Sequence, residues 1–180
     1  MKQTVFSVFL SICAIYSCGV VETEKVPESE LEGLALQVIT GGTFQYSEKG
    51  QTQNVLQAGR LERWKNEGSA NEIWKVSEGF ILYIEGDSHN HEAVLSGGRG
   101  TYNADKGHLI AYDDVELINQ EGEKLNTEYL VWSNDSDRVH TNRPVSIETK
   151  TGTLQGNGLE ADSKFENYRI LNPTGAFEIP

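Results

Sequence analysis

From residue 34 onward, the apolar residues of this chain recur at every second position or gather in short runs bounded by glycine. Helical spacing is almost absent. Alternation of that kind places side chains on opposite faces of an extended backbone, which is the signature of half-buried β-strands. Leu34, Leu36 and Val38 alternate, as do Phe44 and Tyr46. Ile73, Trp74 and Val76 lead through Glu78-Gly79 into the strongly apolar run Phe80-Ile-Leu-Tyr-Ile84, and Ala93-Val94-Leu95 resumes the pattern. Between these runs, residues 85–92 are polar and fit a hairpin tip. Gly107, Gly122 and Gly152 each sit between candidate strands, where hairpins place glycine. The mixed stretch 55–64 leaves a short helix as an alternative. With 18 glycines against 4 prolines, the composition suits many tight turns between strands, so the expected class is all-β.

A weak internal repeat of about thirty residues runs through the second half. Tyr102, Asp105, Leu109 and Val115 correspond to Trp132, Asp135, Val139 and Val145, and Gly122 corresponds to Gly152. A unit this small cannot bury a face alone, so copies must stack. The expected result is a stacked β-roll of two sheets or a β-helix-like solenoid, with inward rows between the sheets.

The N-terminus reads as an export signal. Lys2 gives a minimal positive region, and residues 5–14 are apolar. Ile15-Tyr16-Ser17-Cys18-Gly19 is similar to a bacterial lipobox, in which a small residue precedes the cysteine that receives a lipid. The expected boundaries are a signal peptide over 1–17 and a lipidated N-terminus with an acidic tether over 18–33. An uncleaved signal anchor over residues 5–21, at the short end for a membrane helix, and plain secretion remain alternatives. Both cysteines, Cys13 and Cys18, lie in this leader, so the body has neither a disulfide nor a cysteine metal site.

The formal net charge of −12 disfavours nucleic acid and anionic lipid headgroups as partners, since both reward basic clusters. Little in the body points to catalysis or a cofactor. His89 and His91 would share a strand face, but no third ligand is near in sequence. Asp113-Asp114 and Asp135-x-Asp137 lack the glycine and distal glutamate of a calcium loop and read as turn residues. The glycine-rich Ser96-Gly-Gly-Arg-Gly100 has no strand-to-helix context for phosphate. No catalytic residue, metal or cofactor is expected.

Four serial strings carry a resemblance. Leu95-Ser-Gly-Gly-Arg-Gly-Thr-Tyr102, Leu109-Ile-Ala-Tyr-Asp-Asp-Val115, Gly122-Glu-Lys-Leu-Asn-Thr-Glu-Tyr-Leu-Val-Trp132 and Gly152-Thr-Leu-Gln-Gly-Asn-Gly-Leu-Glu-Ala-Asp162 resemble the repeated motif of the LptC family. That family is the periplasmic component of the lipopolysaccharide (LPS) exporter. The resemblance covers the body, 34–180, nearly in full. It implies a two-sheet antiparallel β-jellyroll without enzymatic activity, periplasmic and held at a membrane. Its implied partners are LPS, the jellyrolls of an inner-membrane ABC transporter, and a periplasmic bridge protein that pairs by edge strands. The best-known members carry an uncleaved transmembrane helix; here the lipid on Cys18 takes its place. A lipoprotein of this kind would sit in the inner membrane.

An LPS conduit needs an apolar trough, because each exposed methylene costs about 0.8 kcal/mol relative to burial. The candidate lining is Phe44, Leu82, Ile84, Val115, Leu117, Val145 and Ile147, which alternate on their strands. Ordinary core packing is the competing role for each. The competing function is a β-roll or solenoid lipoprotein that binds glycan or protein through an exposed face.

Overall fold

Strand-favouring residues alternate with polar ones across almost the whole body, and the computed structural model is correspondingly all strand and turn. It describes residues 35–65, 72–103, 106–133 and 136–174. Among these no helix occurs, and residues 55–64 belong to a strand. The leader, with Cys18 and the boundaries drawn at 1–17 and 18–33, lies outside the described residues, as do Leu34, Asp105 and Asp135.

Ten strands follow one another: β1 (Gln37–Glu48), β2 (Gln51–Lys65), β3 (Glu72–Ile84), β4 (Ala93–Gly97), β5 (Arg99–Asn103), β6 (His108–Asn119), β7 (Lys124–Ser133), β8 (Arg138–Thr149), β9 (Gly152–Asp162) and β10 (Tyr168–Thr174). They form one antiparallel sheet in the order β1-β2-β3-β4-β6-β7-β8-β9-β10, with β5 also between β3 and β6. β4 and β5 are the two arms of one bent strand, joined at Gly98. The sheet is therefore a meander in which each strand pairs with its neighbour in sequence.

The expected pair of sheets arises by folding this single sheet along a crease, giving an antiparallel β-jellyroll. Nearly every strand breaks its ladder at mid-length. Gly41 in β1 has φ +64°, Glu78 and Gly79 in β3 have φ +60° and +82°, Asp113 and Asp114 in β6 have φ +63° and +50°, and Gly158 in β9 has φ +90°. Register shifts fall at Ala58/Arg60 in β2, Asn126/Val131 in β7 and Thr141/Pro144 in β8. Bulges of this kind bend a strand and re-aim its side chains. The crease carries its own hydrogen bonds: Gly79 N donates to Gly98 O (3.0 Å) and Gly98 N to Asp113 O (2.8 Å). Gly59 is fixed by contact rather than by φ, since a Cβ there would stand 2.3 Å from the Glu78 carbonyl oxygen. Asp113 and Asp114 thus lie in the bend of a strand rather than in a hairpin turn. Aspartate tolerates the left-handed conformation better than most residues, and Arg99 clamps the Asp113 carboxylate through Nη2 (3.0 Å) and Nε.

On either side of the crease lie two leaves. One holds Leu95 and the other Trp132. Their inner faces share a single apolar core that includes Leu82, Leu95, Leu117 and Ile147 from the first and Leu109, Leu130, Val139 and Leu159 from the second. Two hairpins thirty residues apart carry matching pairs, Tyr102 opposite Leu109 and Trp132 opposite Val139.

Candidate functional site

The inner face of the Leu95 leaf is one unbroken ladder. Phe44 pairs with Leu56, Leu56 with Leu82, Leu82 with Leu95, Leu95 with Leu117, Leu117 with Leu125, Leu125 with Ile147, and Ile147 with Leu154. One apolar side chain from each of eight strands, β1–β4 and β6–β9, lies in line across the sheet. The adjacent row points outward and is mostly polar: Gln57, Ile81, Ser96, Glu116, Asn126, Ser146 and Gln155 are paired in turn. This is the pleat converting period two into an apolar wall and a wet one.

Burial along the ladder is graded. Leu95, Leu117, Leu125 and Ile147 have no exposed surface, and Leu82 keeps 5%. Phe44, Leu56 and Leu154, at the two ends, are only half-buried. The interior is closed at its middle and open toward β1 and β9.

The sequence-derived lining residues all fall on this one leaf. Leu82 and Ile84 come from β3, Val115 and Leu117 from β6, and Val145 and Ile147 from β8; all are buried in the shared core, with Phe44 packed against it at the β1 end. The opposite wall was not among them. Its row runs Trp74, Tyr102, Leu109, Trp132, Val139, Ala161 and Tyr168, each paired with the next. The same alternation, Leu109/Ala111, Leu130/Trp132 and Leu159/Ala161, carried the signal. The tryptophans divide between the faces. Trp132 is buried inside and Trp74 is half-buried on the inner row. Trp64 is partly buried on the outer face, where Lys75 Nζ stands 4.1 Å from its ring centroid and its Nε1 donates to Glu62 (3.0 Å).

The lips of the two leaves meet through the turn between β9 and β10. Phe165 in that turn is fully buried, and its ring stacks on Tyr168 at 4.8 Å. Asn119 Nδ2, from the lip of the Leu95 leaf, donates to the Phe165 carbonyl (2.9 Å), and Lys164 Nζ reaches Glu85 of the same lip at 2.7 Å. The bond to Glu85 raises the Lys164 pKa, and burial, with Glu123 alongside, pushes the Tyr168 phenol up. The turn thus acts as a stopper across the seam.

The two histidines considered for a metal bond within their own loop. His91 Nδ1 bonds the Asp87 carbonyl (2.8 Å) and His89 Nδ1 meets the Ser88 hydroxyl (3.0 Å), so both serve the loop between β3 and β4. Among the described residues, no three potential metal-ligating side chains come together.

The two facing apolar walls inside the creased antiparallel sheet pack together as one shared core. The family model described as lipopolysaccharide-assembly, LptC-related, matches residues 8–176. This chain belongs to the LptC-related family. Membership gives it a role in LPS transport by the Lpt system and a place in the cell envelope. LptC-type proteins act in transport and binding. Among curated proteins, no sequence matches this chain significantly.

Proposed function

We propose that the protein is a non-catalytic periplasmic carrier that takes LPS from an inner-membrane ABC transporter and passes it along a bridge of β-jellyrolls. The observation that carries this reading is the apolar ladder with closed middle and half-buried ends. Acyl chains enter between the leaves at an open end, and the leaves part to let them reach Leu82, Ile84, Val115, Leu117, Val145 and Ile147. Closure of the middle keeps these residues dry, which burial of apolar surface favours.

The sheet edges support the reading. Among the described residues, the outer edges of β1 and β10 pair with no strand. Leu36, Val38 and Tyr46 on the β1 side and Leu171 on β10 are large apolar residues about half-exposed. Unpaired edges invite strand addition. In this proposal one edge receives the transporter's jellyroll and the other the bridge protein's.

A photo-crosslinking amino acid at Phe44 or Leu56 is expected to capture LPS in cells, and more strongly than one at Ile147 in the closed middle. Normal LPS export with no adduct at any of the three would refute the trough.

The anchor in this proposal is a lipid on Cys18, in the inner membrane. It rests on the Ile15-Tyr16-Ser17-Cys18-Gly19 string and on the acidic tether that follows. Cys18→Ser is expected to abolish metabolic labelling with palmitate and to release the protein from the membrane. Label retained by the variant would remove this anchor.

A further inference from the structure

The outer face of the Trp132 leaf turns apolar at its β1 end. Leu36 and Val38 are 47% and 46% exposed. Val38 faces outward, since it pairs with Glu62 and Glu62 with Lys75, and Leu36 continues that alternation. Leu36 N donates to Arg63 O (2.7 Å), which sets Leu36 beside Trp64, and Trp64 pairs with Ile73. Leu36, Val38, Trp64 and Ile73 thus form one patch across β1, β2 and β3. At β5 the same outer rows turn polar, where Lys75 meets Thr101 and Ile73 meets Asn103.

The surrounding groups narrow the partner. The Trp64 indole N–H is satisfied by Glu62 (3.0 Å), so the rest of its surface is carbon. Lys75 Nζ stands 4.1 Å from the ring centroid. Tryptophan beside lysine suits a membrane–water boundary, where the ring sits at headgroup level and the ammonium extends to phosphate oxygens. The start of the body points the same way. Only residues 19–35 separate Leu36 from Cys18, so a lipid on Cys18 keeps the patch within about 60 Å even at full extension. The patch is therefore the first part of the body that an anchored chain brings to a bilayer. The net charge of −12 opposes broad attraction to anionic headgroups. An apolar contact does not need that attraction, and salt confines the repulsion to about 8 Å.

We infer that the patch of Leu36, Val38, Trp64 and Ile73 rests in the headgroup–acyl boundary of the phospholipid bilayer that carries the anchor. The patch shares β1 with Phe44, so this contact brings the β1 end of the ladder to the membrane surface. The inference rests on the anchor proposed above and not on the trough.

The test is fluorine NMR on the full-length protein, with fluorotryptophan at all three tryptophans, in phosphatidylcholine nanodiscs that contain a paramagnetic doxyl lipid. The Trp64 signal is assigned by its loss in Trp64→Phe. Trp74 and Trp132, on the inner face, are the internal references. The doxyl lipid is expected to broaden Trp64 well beyond both, also at high salt. Leu36→Asp with Val38→Asp, both at exposed positions, should remove that excess. Equal broadening of all three signals, or more at Trp74 and Trp132, would overturn the contact, as lipid would then reach the inner face at least as well. Protein that stays with the discs while Trp64 remains sharp would lose the contact and keep the anchor; protein that leaves the discs would lose both. A Trp64 signal that moves with protein concentration and ignores the doxyl lipid would assign the patch to a second copy of this chain and overturn the proposal.

Discussion

Leu117→Ala is expected to destabilise the protein by about 3 kcal/mol, while the same truncation of Leu56 or Leu154 costs about 1 kcal/mol, because the loss grows with the cavity that neighbours cannot fill. All three stand in one ladder and differ chiefly in burial. Leu117 has no exposed surface and lies between Leu95 and Leu125, which have none either. Leu56 and Leu154 are half-buried, next to the sheet's ends. Urea unfolding reads the comparison, as a change in midpoint at constant slope. Function should run the other way. In the proposed carrier a chain enters at the ends, so Leu56→Asp should reduce LPS capture more than its small effect on stability explains. Equal destabilisation at centre and ends would contradict the graded interior. Unchanged capture in Leu56→Asp would contradict entry at the β1 end.

Much of this fold could be read along the chain, for a definite reason. The sheet is a meander of consecutive hairpins, so the strand signals and their pairing partners are close in sequence. Gly122 sits in a hairpin turn with φ +81° and Gly152 opens β9 directly after one with φ +145°, and the polar stretch 85–92 joins β3 to β4. The crease was the hidden element. Asp113-Asp114 has the composition of a turn, and local chemistry alone does not separate a turn that reverses a strand from a bulge that bends it. Only the continuation of β6 through Val115 to Asn119 makes that distinction. The candidate lining was legible on one wall only. Alternation assigns a residue to a face, whereas the crease decides which faces meet. Phe165 was illegible for a related reason: a lone aromatic in a polar turn, Ser163-Lys164-Phe165-Glu166-Asn167, becomes core only when the seam closes over it.

That seam leads to the second large effect: tying the lips together is expected to abolish LPS capture, and releasing them to restore it. Phe165 has φ +58°, a left-handed conformation uncommon for a bulky residue, with a cost of about 1–2 kcal/mol. The turn is held in that shape by Asp162, whose carboxylate accepts from Glu166 N (2.9 Å), Asn167 N (3.0 Å) and Asn167 Nδ2 (2.8 Å). What fastens it to the other leaf is slighter. Lys164 and Glu85 are both partly exposed, and pairs of that kind contribute about 0–1 kcal/mol. The Asn119 bond to the Phe165 carbonyl adds about 1 kcal/mol. Most of the closure therefore comes from the buried Phe165 ring. In the proposed carrier, an acyl chain that takes the ring's place would return much of that apolar contact, and the turn would open for a lipid without exposing the core to water. Glu85→Cys with Lys164→Cys, bridged by a bis-maleimide that contains a disulfide, holds the lips shut. A photo-crosslinker at Phe44 then reads capture before and after reduction. Phe165→Ala is the complementary variant. It should cost about 3 kcal/mol of stability and still capture lipid, since it removes the stopper rather than the walls. Full capture with the bridge intact would mean that lipid enters without the seam opening, and the turn would be a structural plug alone.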